Sequence, residues 1–126
     1  LGELDVERDF GHARDYVRAM RLMMAYDEPR DWVVATGESH SVRELGELAF
    51  ARAGLDFDAH RVHDPHYLRP TEVPALLGDA AETRPRLGWA PTVRFEALVH
   101  EMVDHDLVLA EAERRARDRR AGTPPP

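Results

Sequence analysis

Apolar side chains at Ala13, Tyr16, Val17, Met20 and Met24 recur at helical spacing. The pattern predicts a first helix over residues 11–27 with that stripe buried. The methionines in it read as core side chains rather than cofactor contacts. Pro29 ends the helix because it cannot continue the hydrogen-bond ladder. Residues 1–10 read as a strand end and loop. Trp32-Val33-Val34-Ala35-Thr36 is a short β-branched run closed by Gly37, which predicts a buried strand. Ser41-Val42-Arg43-Glu44 is a capping box opening a second helix. That helix turns Leu45, Leu48, Ala49 and Ala53 inward and stops at Gly54. Asp79 is placed to cap a third helix over residues 80–87. Pro85 lies inside it and costs ~3 kcal/mol, so a kink or early end is expected. Trp89 is expected on the core. A fourth helix starts near Arg94, with Phe95, Leu98, Val99, Met102 and Leu109 as its apolar stripe and Thr92 as a substitute cap. Residues 111–120 offer only solvated faces, and residues 121–126 read as a disordered end. The expected chain is therefore mixed α/β, with about four helices and two or three short strands. Residues 1–110 form one domain, and residues 111–126 form a charged helical extension and tail.

Composition narrows the classes. The chain has 126 residues and a net charge of −7, which argues against a nucleic-acid or anionic-membrane surface. With no cysteine, disulfides and thiolate chemistry are excluded and a cytoplasmic setting is expected. No apolar run reaches the ~20 residues of a membrane span, and no signal peptide is evident. All 17 basic residues are arginine. A Tyr-x-x-x-Lys pair is thus impossible: Tyr16, Tyr26 and Tyr67 are followed four residues on by Met20, Arg30 and Thr71. There is no Gly-x-Gly-x-x-Gly turn for a pyrophosphate either.

The stretch richest in candidate chemistry is Tyr67-Leu68-Arg69-Pro70-Thr71-Glu72-Val73. Pro70 fixes its own φ and pushes Arg69 toward an extended conformation, holding a cation and an anion at a set separation. Arginine forks match phosphate oxygens, and carboxylates accept from ribose hydroxyls, so the stretch suits a nucleotide. On the local pattern alone a surface loop with a salt bridge is the commoner reading.

Other stretches add to it. The run from Leu1 to Val17, including Arg8-Asp9-Phe10-Gly11-His12-Ala13-Arg14-Asp15-Tyr16, resembles the strand-to-helix segment of GDP-mannose 4,6-dehydratases, which are extended short-chain dehydrogenases. Thr36-Gly37-Glu38-Ser39-His40-Ser41-Val42-Arg43-Glu44, Arg69-Pro70-Thr71-Glu72, Leu76-Leu77-Gly78-Asp79 and Leu87-Gly88-Trp89-Ala90-Pro91 follow in that family's order. The resemblance runs to about Leu109 and covers only the C-terminal, substrate-binding portion of such an enzyme. It implies that Arg8 and Arg69 meet the diphosphate of GDP-mannose and that Glu72 meets the ribose. It also implies, for the complete enzyme, oxidation at C4 by NADP, loss of water across C5 and C6, and hydride return to C6, giving GDP-4-keto-6-deoxy-mannose. The residues for that chemistry lie upstream in the family, so the chain alone is expected to be inactive and to bind no cofactor. Two departures bear on the site. Glu3 stands where the family has asparagine, and the region over residues 55–65 is shortened.

Other classes stay open: a stand-alone nucleotide-sugar module paired with a separate cofactor-binding half, an oligomerising protein without ligand, or a fragment of another nucleotide-sugar epimerase or reductase. The structural alternative for Arg8 is a salt bridge to Asp9 or Asp5. His12 reads as a capping or packing histidine. His60, His63 and His66 recur every three residues beside Asp58 and Asp64. Pro65 forbids a continuous helix there, and on a strand His63 would point away from the other two, so no metal is expected. Glu101 and His105 share a helix face and read as a surface pair.

Overall fold

The computed structural model describes residues 1–69 and 71–122. Pro70 and the last four residues, where the stiff turn and most of the disordered end were expected, lie outside the described residues. The elements in order are β1 (Glu7–Arg8), α1 (Ala13–Met24), β2 (His40–Ser41), α2 (Val42–Arg52), α3 (Phe57–His60), a 3-10 turn (Pro65–Tyr67), β3 (Ala75–Leu76), α4 (Thr83–Leu87) and α5 (Phe95–Ala121). The three strands form one small sheet in the order β2-β1-β3. β1 runs antiparallel to β2 (Arg8 opposite His40) and parallel to β3 (Arg8 opposite Leu76).

Several elements form for local reasons. Ser41 Oγ accepts from the Glu44 amide at 3.0 Å while the Glu44 carboxylate accepts from the Ser41 amide at 2.7 Å, completing the capping box that opens α2. Gly54, at φ +73°, takes the left-handed position just after that helix, where a side chain would be strained. α3 is a fifth helix that the expected four did not include; Asp56 accepts from the Ala59 amide at 2.7 Å and closes its single turn. α4 begins later than residue 80. Asp79 caps the preceding turn by accepting from the Ala81 amide. Pro85 then falls in the first turn of α4, where its missing N–H has no helical acceptor, so neither kink nor early end results.

Packing corrects three expectations. The face α1 turns to the core carries Tyr16, Ala19, Leu22 and Met23, which pack with Leu87, Trp89, Trp32 and Val34. Ala13 and Val17, Met20 and Met24 instead face outward, the last three at 63%, 58% and 89% exposure. Residues 32–36 form no strand. On α5, Phe95 and Val99 are buried and Leu98 is half-buried, but Met102 and Leu109 are exposed. α5 packs on α2 through its first turns, where Arg52 forks onto Asp104 (2.8 and 2.7 Å), and from Asp104 to Arg115 every residue is exposed. No helix among the described residues is long and apolar enough to cross a membrane.

Close approach rather than backbone freedom requires Gly78. A Cβ there would stand 2.2 Å from the Cβ of buried Ala35. Gly78→Ala is therefore expected to cost about 1–3 kcal/mol in urea unfolding, because two backbone-fixed carbons cannot both be accommodated.

Candidate functional site

The parallel pairing of β1 with β3 decides the geometry of the candidate site. It seats the Glu7 amide on the Pro74 carbonyl at 2.8 Å and so lays residues 72–74 beside Arg8. Arg8 Nη2 donates to Glu72 Oε1 at 2.5 Å, and Nη1 donates to the carbonyls of Glu7 (2.7 Å) and Val73 (2.9 Å). Two of the three predicted site residues, 64 positions apart in sequence, are thus in direct contact. The Arg8 partner is Glu72; Asp5 pairs instead with Arg43 at 3.1 Å. Arg8 and Glu72 are each a quarter exposed, so the pair is accessible to a ligand. Further guanidinium N–H groups of Arg8 and the second oxygen of Glu72 carry no partner among the described residues. Arg69 is exposed and makes no ion pair among those residues. The structure does not place it in contact with Arg8 or Glu72.

Asp9 holds the end of β1 in place. Its Oδ1 accepts from the Thr36 amide (2.9 Å) and hydroxyl (2.6 Å), and its Oδ2 accepts from the Gly37 amide (2.9 Å). Beside it opens a cleft of about 420 Å³, lined by Arg8, Asp9, Tyr16, Ala35, Leu76 and Gly78 among others. Burial, with the nearby charges of Asp9 and Asp15, raises the Tyr16 phenol above its ordinary value, so it stays protonated at neutral pH. The sequence pattern missed both roles: Asp9 carried only the suggestion of an Arg8 partner, and Tyr16 read as core. Asp9 meets Thr36 across 27 residues, and no local spacing signals that.

The remaining candidates resolve as structural. His12 caps α1, its Nδ1 accepting from the Arg14 amide at 3.0 Å. Glu101 turns to His12 (3.4 Å) and Arg14 (3.9 Å) rather than to His105, which lies 3.4 Å from Asp106. α3 ends at His60, and His66 sits in the separate 3-10 turn; no metal-holding group exists among the described residues.

The turn from β1 to α1 does not fit a dinucleotide. It holds a single glycine, Gly11, whose hydrogen is required by the Tyr16 hydroxyl (2.2 Å from a would-be Cβ) and not by a phosphate. His12 already occupies the helix start, and the Asp9 carboxylate stands next to it.

The family model for GDP-mannose 4,6 dehydratase matches residues 1–102. Relatives include GDP-mannose 4,6 dehydratase 1 of Arabidopsis thaliana, 49% identical over 90% of this chain and 32% of its own length. The human GDP-mannose 4,6 dehydratase is 45% identical over 86% of this chain and 34% of its length. The chain thus spans about a third of the length of the curated relatives it matches. Among solved structures, RMD from Pseudomonas aeruginosa, complexed with NADPH, superposes with a TM-score of 0.71 at 25% identity, over 82% of this chain and 34% of the other. The UDP-glucose 4-epimerase of Thermotoga maritima shares the fold with a TM-score of 0.74 at 24% identity, over 87% and 35%.

Proposed function

Because this chain belongs to the GDP-mannose 4,6-dehydratase family, we propose that it is the portion of such an enzyme that holds the GDP moiety of GDP-mannose. Arg8 and Arg69 take the diphosphate oxygens, and Glu72 accepts from the ribose hydroxyls. The observation that carries this reading is the Arg8–Glu72 contact at 2.5 Å beside an open cleft, with hydrogen-bonding capacity left over on both partners. A cation and an anion side by side match a ligand that presents phosphates next to hydroxyls. Residues 1–110 act as the substrate domain, and residues 111–126 are an extension that takes no part in binding. The chain supplies binding and orientation only. Conversion to GDP-4-keto-6-deoxy-mannose belongs to a complete, nicotinamide-dependent enzyme acting in the cytoplasm.

Calorimetric titration of the purified chain with GDP and with GDP-mannose tests the proposal. Saturable binding of both, with no turnover of GDP-mannose in the presence of NADP, is expected. A folded chain that binds neither would sink the substrate role, and measurable turnover would sink the assignment of the chemistry elsewhere.

A further inference from the structure

The family model ends at residue 102, whereas α5 continues to Ala121. Every residue from Asp104 to Arg115 is exposed, so roughly three turns of this helix pack on nothing among the described residues. Unpacked helix of that length is marginal in water, because most helical stability comes from packing an apolar face.

Such a face is present. Met102, His105, Leu109, Ala112 and Ala116 recur at alternating spacings of three and four, in line with half-buried Leu98. That repeat is the seam of a two-helix coiled coil. Met102 and Leu109 are 54% and 49% exposed. His105 is the polar member of the seam, and the two alanines leave room for larger side chains opposite.

Charge selects the occupant. Residues 96–113 carry six carboxylates and no arginine, and residues 114–120 carry five arginines and one carboxylate. A helix macrodipole favours this polarity only within the first and last turns. The carboxylates run on to Glu113, past the middle of α5. Ion pairs within the helix, Arg115 with Glu111 and Arg114 with Asp118, are exposed and sit where the two blocks meet.

We infer that a second copy of this chain docks on this seam through its own α5, running antiparallel, as an isologous dimer. With Leu109 facing Ala112 of the other copy, residues 114–120 of each lie along residues 101–107 of the other. The arginine block then meets Glu101, Asp104 and Asp106, and the contact is made twice. A parallel pair would set arginine against arginine, which is repulsive. The surface uses none of Arg8, Arg69 and Glu72, so it is independent of GDP binding.

Sedimentation equilibrium of the purified chain over a range of concentrations is the test. A monomer–dimer equilibrium is expected, weakening as salt screens the exposed charges. Leu109→Glu puts a carboxylate in the centre of the seam twice per dimer and should raise the dimer Kd at least ~10-fold. Leu109 is exposed, so the urea midpoint of the monomer should match the parent. Asp106→Arg and Arg117→Glu fix the orientation. Within the chain Asp106 meets only His105, and Arg117 makes no ion pair among the described residues. Both lie on one flank of the seam, about two residues from level with each other across the antiparallel pair but ~16 Å apart in a parallel one. Each variant alone should weaken its homodimer about 2- to 10-fold. A one-to-one mixture should recover near-parent affinity, because each introduced charge meets its opposite. A chain that stays monomeric overturns the inference. So does a dimer indifferent to Leu109→Glu, or a mixture that associates no more tightly than its parts. GDP titration is read separately; its failure beside an intact dimer sinks only the GDP reading.

Discussion

Arg69→Ala is expected to weaken the proposed GDP binding about 10- to 100-fold and to leave the fold unchanged. The magnitude follows from the ~1.5–3 kcal/mol of a hydrogen bond to a charged group, at a tenfold change per ~1.4 kcal/mol. The unchanged fold follows from the exposure of Arg69 and its lack of an ion pair among the described residues. Arg8→Ala serves as the contrast. It also removes the other proposed phosphate donor, but it breaks the bonds to Glu7, Val73 and Glu72 and leaves the Glu72 carboxylate without its cation. Arg8→Ala is therefore expected to lower both GDP affinity and the urea midpoint. Calorimetry and urea unfolding of the two variants separate a ligand-binding arginine from a structural one. Equal GDP affinity in Arg69→Ala and the parent would remove Arg69 from the site.

Asp15→Ala is expected to cost about 3 kcal/mol in urea unfolding, a large share of the ~5–15 kcal/mol typical of a domain. Asp15 is 2% exposed and ties the start of α5 to α1. Its Oδ1 accepts from the Thr92 hydroxyl (2.7 Å), and its Oδ2 accepts from the amides of Thr92 (2.7 Å) and Val93 (3.0 Å). Its own carbonyl accepts from Trp89 Nε1 at 2.9 Å. Alanine strands three donors where little water can reach them. Burial alone would raise the Asp15 carboxyl, but the hydrogen bonds from Thr92 and Val93 and the nearby Arg18 charge bring it below its ordinary 3.8. A carboxyl depressed in the folded state stabilises the fold above the unfolded pKa, and that contribution is lost as pH falls through the folded value. The stability gap between the parent and Asp15→Asn should thus be constant above about pH 5 and shrink once the pH drops below 3.8. A gap that is the same at both ends of that range would mean the carboxylate charge contributes nothing.

What was legible in the sequence was local. The capping box at Ser41 and Glu44, the glycine stop at Gly54 and the histidine cap at His12 each join residues within a few positions, so composition and spacing suffice to write them. The order of family motifs made the lineage legible, and with it Arg8, Arg69 and Glu72 as candidates. Tertiary structure alone decided the rest. Arg8 meets Glu72 only because β1 and β3 run side by side, and Asp15 grips Thr92 across 77 residues. The covered face of α1 was equally hidden. Its sequence carries apolar residues on two sides, and helical periodicity cannot say which side finds a partner within this chain. Residues 32–36 have the composition of a strand, but a strand exists only when another backbone supplies its hydrogen bonds, and that depends on which chain lies alongside.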